Sequence, residues 1–113
     1  MATTTVRMTV EWLVPAGQAR SIALALHSLS ADLRDTPGCL RCSVSTDLTT
    51  PGAVRYTEEW ESEADLRARV GSKAFLRLAA LLEATDRAPH LEFTLPAGAR
   101  GVDFVEDVRG TSR

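Results

Sequence analysis

The sequence predicts an α+β fold in which helices cover one face of an antiparallel sheet. Segments of alternating apolar and polar residues, typical of half-buried strands, are interleaved with segments whose apolar residues recur every three or four positions, typical of helices. Their order is strand, helix, strand, strand, helix, strand, which is the split β-α-β arrangement of ferredoxin-like folds. With 113 residues we expect one domain over 1–113, with an ordered core from about 5 to 109 and loose ends at 1–4 and 110–113.

The first half of the chain is expected to form a strand, a helix and a β-hairpin. Alternation from Thr5 to Val14 predicts the strand, and an apolar stripe predicts a helix from about Gln18 to Leu33. Alternation returns over 40–46 and 54–60. The turn sequence at Thr49–Gly52 lies between these two segments, so they are expected to pair as a hairpin.

The second half is expected to contain two helices and two extended segments. Ser62 is a good N-cap for a short helix that ends near Val70, and Ser72 caps a second helix whose buried stripe lies within 75–82. Alternation over 91–95 predicts a fourth strand. Val102, Phe104 and Val108 suggest a last extended segment over 101–108.

Composition excludes several classes of protein. The net charge is −2 and there is no basic stripe, so we expect no nucleic-acid partner. No apolar run approaches the length that spans a bilayer, so we expect no membrane association. The first residues show no secretory signal pattern, which predicts a cytoplasmic protein.

Cys39 and Cys42 form a Cys-x-x-Cys sequence. Such a pair is redox-active when the first thiolate lies at a helix N-terminus, whereas this pair opens a strand, on which residues three apart point to opposite faces. Two cysteines also do not complete a zinc site. We therefore expect two reduced thiols without a catalytic role, with a redox pair as the alternative.

The sequence of residues 37–75 contains motifs that resemble those of a known family. Pro37-Gly-Cys-Leu, Glu58-Glu-Trp-Glu and Ser72-Lys-Ala-Phe occur in the order seen in the antibiotic biosynthesis monooxygenase family, which this sequence resembles. The resemblance implies a homodimeric α/β barrel in which two sheets face each other. The uncovered sheet face that would form this contact carries Arg7, Glu11, Arg41, Arg55 and Glu59.

The resemblance also implies a chemistry. Typical members oxygenate electron-rich aromatics such as quinols and anthrones with dioxygen alone, so the resemblance implies no metal and no organic cofactor. The partners would be a small aromatic substrate and dioxygen. A site of this kind needs a dry pocket, a proton acceptor and donors that stabilise an oxyanion.

Five residues are the leading candidates for a pocket wall and a proton acceptor. In the family the tryptophan equivalent to Trp60 borders a cavity between sheet and helices, and we expect Tyr56 and Phe75 beside it. Glu58 shares the apolar face of its strand with Trp60 and is a candidate general base, although a solvated carboxylate at the sheet end is the expected alternative. His27 beside the first helix's stripe is the other candidate base, or else a residue at the edge of a helix interface.

This sequence departs from the family at several positions. Many members have a histidine where Arg69 and Ala74 stand here, and one antibiotic-tailoring branch has asparagine and tyrosine where Tyr56 and Leu66 stand. Haem-degrading relatives need a histidine in the second helix, and this chain has none there. Arg69 is a candidate to stabilise an anionic intermediate, with a surface arginine as the expected alternative.

These observations leave three functions open. The first is a cofactor-independent monooxygenase acting on a polycyclic or quinol-type aromatic. The second is a non-catalytic member that binds small molecules. The third, a dimeric interaction module, requires the space around Trp60 to be filled.

Overall fold

A computed structural model describes residues 5–110, and the expected loose ends at 1–4 and 111–113 lie outside this range. Within it the chain forms five strands and four helices. Their bounds are β1 Val6–Leu13, α1 Ala16–Leu33, β2 Cys39–Thr46, β3 Ala53–Trp60, α2 Glu63–Val70, α3 Phe75–Glu83, β4 His90–Leu95, β5 Gly98–Arg100 and α4 Val102–Arg109.

The strands form one antiparallel sheet in the order β2-β3-β1-β4-β5. The central strand β1 pairs with β3 along its whole length, with Val6 opposite Trp60 and Leu13 opposite Ala53. The first four strands have the order of the split β-α-β arrangement, which confirms the predicted fold class.

The helices cover one face of the sheet, and the core lies between them. Alternate residues of each strand point to that face, so strand periodicity decides which side chains are buried. The buried residues of β1, β3 and β4 on this face are Val6, Met8, Val10, Trp12, Val54, Tyr56, Glu58, Trp60, Phe93 and Leu95. The helices contribute the apolar stripe predicted for α1, together with Leu66, Val70, Phe75, Leu78 and Phe104.

The other face of the sheet is polar and carries charges of both signs. Arg7 lies opposite Glu59 with 3.8 Å between their charged groups, and Glu11 lies opposite Arg55 with 3.9 Å. These cross-strand pairs are partly exposed, so each contributes at most about 1 kcal/mol. No helix in the part of the chain described is long and apolar enough to cross a membrane.

The C-terminal segment differs from the prediction. Residues 101–108 were expected to be extended, and this was wrong, because Val102–Arg109 is the helix α4. Phe104 and Val108 lie one helical turn apart and both face the protein body. Before α4, the chain turns at Pro96 and adds the short strand β5, which was not predicted from the sequence.

Candidate functional site

Strand β3 brings three of the predicted site residues to the covered face. Tyr56, Glu58 and Trp60 alternate along the strand and point toward the helices, as strand geometry requires. Tyr56 and Glu58 are 0% exposed and Trp60 is 1% exposed. The expectation of a solvated Glu58 at the sheet end was therefore wrong, because β3 remains paired on both sides through Glu58.

Helix α2 supplies the positive partner of Glu58. Ser62 caps α2 by accepting a hydrogen bond from the Asp65 amide at 3.1 Å, which sets where the helix begins. From that start, Arg69 falls on the same face as Leu66 and Val70 and is buried against the sheet. The expectation of a surface arginine was wrong, since the side chain of Arg69 is 3% exposed.

The carboxylate of Glu58 is fully hydrogen-bonded. Its Oε1 accepts from Trp60 Nε1 at 3.0 Å and from Arg69 Nε at 3.1 Å. Its Oε2 accepts from Arg69 Nη2 at 2.9 Å and from the Tyr56 hydroxyl. The guanidinium thus donates to both oxygens, and this bidentate arrangement is the strongest form of an arginine–carboxylate ion pair. We call these four side chains the Glu58 network.

Phe75 closes the network from the first turn of α3. The guanidinium carbon of Arg69 lies 5.6 Å from the centre of the Phe75 ring, within the range of a cation–π contact. Ser72 links the two helices, because its hydroxyl donates to the Arg69 carbonyl at 2.6 Å and accepts from the Phe75 amide at 3.2 Å. The prediction that Ser72 is the N-cap was wrong, because α3 begins at Phe75 and its N-cap is Ala74.

The environment fixes the protonation of two network members. Burial by itself lowers the pKa of Arg69, but the hydrogen bonds and charge of Glu58 outweigh it and leave the pKa raised. Burial, followed by the Glu58 charge, raises the pKa of Tyr56 far above its usual value. At neutral pH Arg69 is therefore a fixed cation and Tyr56 a fixed hydrogen-bond donor.

The network reaches the protein surface through Cys42. The Cys42 thiol donates to the Tyr56 hydroxyl oxygen at 3.2 Å and lines a surface cleft of about 250 Å³ together with Cys39. Burial raises the pKa of Cys42 to about 11 and also raises that of Cys39, which opposes thiolate reactivity.

The two cysteines do not point to opposite faces as expected. A β-bulge between Cys39 and Arg41 shifts the register, so Cys39 lies opposite Trp60 and Cys42 opposite Glu58. An extra residue in one strand of a pair reverses the alternation, which puts both thiols on the face of the Glu58 network. Both are free cysteines.

The other predicted features lie elsewhere. His27 is exposed on α1, makes no hydrogen bond to the Glu58 network, and is therefore not brought to the site. Trp60 and Phe75 are each 1% exposed, so no open cleft reaches them, and the cavity expected beside Trp60 stays a prediction.

The family assignment rests on sequence. The profile of the family described as antibiotic biosynthesis monooxygenase matches residues 5–81, from β1 into α3. The chain belongs to this family. The match includes every residue of the Glu58 network, whereas β4, β5 and α4 lie beyond it. No curated protein is significantly similar in sequence.

Solved structures support the fold. A conserved protein from Methanosarcina mazei Go1 has a TM-score of 0.70 at 20% identity, covering 81% of this chain and 92% of its own. A structure titled antibiotic biosynthesis monooxygenase has a TM-score of 0.64 at 20% identity, covering 78% and 94%. Rv0793 from Mycobacterium tuberculosis has a TM-score of 0.68 at 17% identity, covering 82% and 95%. At these identities the similarity establishes the fold alone.

Proposed function

We propose that this chain is a cytoplasmic, homodimeric, cofactor-independent monooxygenase that acts on a quinol-type or polycyclic aromatic with dioxygen. One observation carries the proposal. Tyr56, Trp60 and Arg69 all donate hydrogen bonds to the buried carboxylate of Glu58, and the Phe75 ring lies against the Arg69 guanidinium. Membership in a family described as monooxygenases supports it. The side chains supply an acid–base group, a fixed cation and aromatic walls, which are the parts that the reaction needs.

The chemistry requires little from the protein. An anthrone or phenol that loses a proton becomes electron-rich and can pass an electron to dioxygen. Recombination forms a carbon–oxygen bond to a hydroperoxide, and loss of water leaves a carbonyl. In an anthrone, a CH₂ group and O₂ thus become C=O and H₂O. A phenol reacts in the same way at the ring carbon that is CH₂ in its keto tautomer, so no external reductant is consumed. The protein has to accept the first proton and stabilise the resulting anion in a dry site.

We assign these tasks within the Glu58 network. Glu58 accepts the substrate proton once the Tyr56 hydroxyl no longer donates to Oε2. The carboxyl group is then neutral, and Arg69 stabilises the substrate oxyanion instead of the carboxylate. Trp60 and Phe75 contact the aromatic rings. Because the network is enclosed, a substrate enters only when α2 and α3 separate from β3. The mostly exposed junction 71–74 is the segment at which the two helices would move.

The uncovered sheet face is the proposed dimer contact. Its cross-strand pairs Arg7–Glu59 and Glu11–Arg55 are only partly exposed and have charges of both signs. A second copy related by two-fold symmetry would present the same mixed charges, so each sign can find its opposite across the contact. A stable contact of this kind buries more than about 1,000 Å² in total.

Oxygen uptake tests the proposal. Anthrone and 1,4-dihydroxynaphthalene are the probes, and uptake without protein is subtracted. A general base contributes about 10² to 10⁴ in rate, so Glu58→Gln should lower uptake by about that factor. Glu61→Gln is the matched control, because Glu61 is exposed and only three residues away. His27→Ala should have little effect, and the reverse pattern would make His27 the base.

A non-catalytic role is the second candidate, and one observation favours it. All four donors to Glu58 are already in place without a substrate, and the carboxylate is completely buried. A packed, satisfied network of this kind can simply hold α2 onto the sheet. Absence of oxygen uptake by the unmodified protein would favour this role. Saturable binding of the aromatic probes would then distinguish a ligand-binding member from an interaction module.

A further inference from the structure

A second cleft lies at the opposite end of the sheet from the Glu58 network. The register places Val6 beside Trp60 at one end and Trp12 beside Val54 at the other. The cleft opens between the end of β1 and the turn that joins β2 to β3, and its volume is about 470 Å³. This is within the range of about 300 to 1,000 Å³ that small-molecule sites occupy.

Trp12 lines this cleft and has an unsatisfied donor. Its indole N–H is buried and donates to no acceptor among residues 5–110, and the whole Trp12 residue is only 2% exposed. The other tryptophan differs, because Trp60 Nε1 donates to Glu58. Buried donors without a partner are rare in folded proteins, and each one calls for an explanation. A ligand acceptor that reaches Trp12 would form the missing hydrogen bond with its N–H. The cost of removing this N–H from water has already been met on folding.

The charged groups that line the cleft are Glu11, Arg55 and Asp47. Glu11 and Arg55 face each other across the strands at 3.9 Å. Asp47 Oδ1 accepts hydrogen bonds from the amide and the hydroxyl of Thr49 at 2.8 and 2.7 Å. An anionic ligand would therefore find no free cation here, and the exposed carboxylate of Asp47 is screened by solvent, so the cleft suits a neutral molecule.

The apolar part of the lining is exposed at the lip. Leu48, at the β2–β3 turn, is 98% exposed, and Ala53 and Val54 form part of the wall. A large apolar side chain with almost no protein contacts can cover an apolar ligand, and the removal of both surfaces from water favours this.

We propose that this cleft binds a neutral, mainly apolar small molecule with a carbonyl oxygen. The oxygen accepts a hydrogen bond from Trp12 Nε1, and the apolar part packs beneath Leu48. Because the N–H is buried while Trp12 lines the cleft, the turn carrying Leu48 has to shift outward for the oxygen to reach it. This site is separate from the Glu58 network and does not depend on oxygenase activity, and it borders the proposed dimer contact at Glu11 and Arg55.

The two indole N–H resonances of the full chain provide the test. They are assigned by comparison with Trp12→Phe and followed by ¹H–¹⁵N NMR during titration. The probes are cyclohexanone, 1-tetralone and 9-fluorenone, each compared with the hydrocarbon that lacks the carbonyl. The ketones should move the Trp12 resonance downfield and saturably, with the Trp60 resonance unchanged. Hydrocarbons should give no such downfield shift.

Two variants sharpen the result. Leu48→Ser should weaken ketone binding about tenfold, since a leucine side chain covers the ligand. Leu40→Ser is the matched control, because Leu40 is 61% exposed on another part of the surface, and it should leave binding unchanged. The proposal is overturned if no ketone shifts the Trp12 resonance. It is also overturned if the shift occurs at Trp60, or if ketones and hydrocarbons shift Trp12 alike.

Discussion

Replacing Arg69 by methionine removes the cation of the Glu58 network while keeping most of the side-chain volume. The side chains of Arg69 and Glu58 are 3% and 0% exposed, so the carboxylate remains buried without its charge partner. Breaking a buried ion pair from one side costs about 3 to 5 kcal/mol of unfolding free energy. A domain of this size is stable by about 5 to 15 kcal/mol in total, so the variant should lose a large part of its stability.

The assay is urea unfolding at neutral pH, with a surface pair as control. Arg77 and Asp32 are closer, at 2.7 Å, but 55% and 63% exposed, so Arg77→Met should cost no more than about 1 kcal/mol. Adding Glu58→Gln to Arg69→Met should recover part of the loss, because the unpaired charge disappears. Equal costs for the Arg69 and Arg77 variants would refute the description of a buried, charge-paired network.

Three further predictions concern pH, helix α4 and assembly. Burial raises the pKa of Cys42 to about 11, whereas its ordinary value is 9.0. Between these two values the folded protein keeps a thiol proton that the unfolded chain releases. The contribution of Cys42 to the free energy of unfolding is therefore fully present below pH 9 and is lost as the pH rises through 11. Thermal unfolding should show a smaller decline over that range in Cys42→Ala, and identical declines would contradict the assignment. Phe104 lies on the buried face of α4 and is 0% exposed, so Phe104→Ala should lower the free energy of unfolding in urea by about 3 to 5 kcal/mol. Val102→Ala is its control at 60% exposure, and comparable losses would mean that α4 does not pack as described. Light scattering at micromolar concentration should give twice the 12.2 kDa chain mass, and Arg55→Glu should shift it toward the monomer by placing like charges beside Glu11. A monomer mass for the unmodified protein would contradict the sheet-to-sheet dimer.

Most of the fold could be predicted because strand and helix periodicities are strong local signals. The alternation in β1 and β3 fixed which residues face the core, and the structure follows it. Helix α4 could not be distinguished in the same way. Val102 and Phe104 are two residues apart, as in a strand, and valine favours strands. The interval from Phe104 to Val108 suits a helix, and tertiary packing decides between them.

The candidate site was predictable as a group of residues but not as a network. The two-residue period of a strand was enough to place Glu58 on the same face of β3 as Trp60. Its partner Arg69 lies on another element, so only the folded structure shows that the cost of burying the charge is offset. One signal was available, because Arg69 shares a helical face with Leu66 and Val70. The contact of Cys42 with Tyr56 depends on a β-bulge, which no residue pattern in β2 announces.

The proposed oxygenation requires that an aromatic substrate reaches the Glu58 network. An anaerobic titration with 1,4-dihydroxynaphthalene, followed through the indole N–H resonance of Trp60, tests this directly because the substrate binds without turnover. Trp60 Nε1 donates to Glu58, so a substrate that rearranges the network must change this resonance. We predict a saturable shift that Arg69→Met abolishes. A Trp60 resonance that stays unchanged at saturating substrate would contradict the claim.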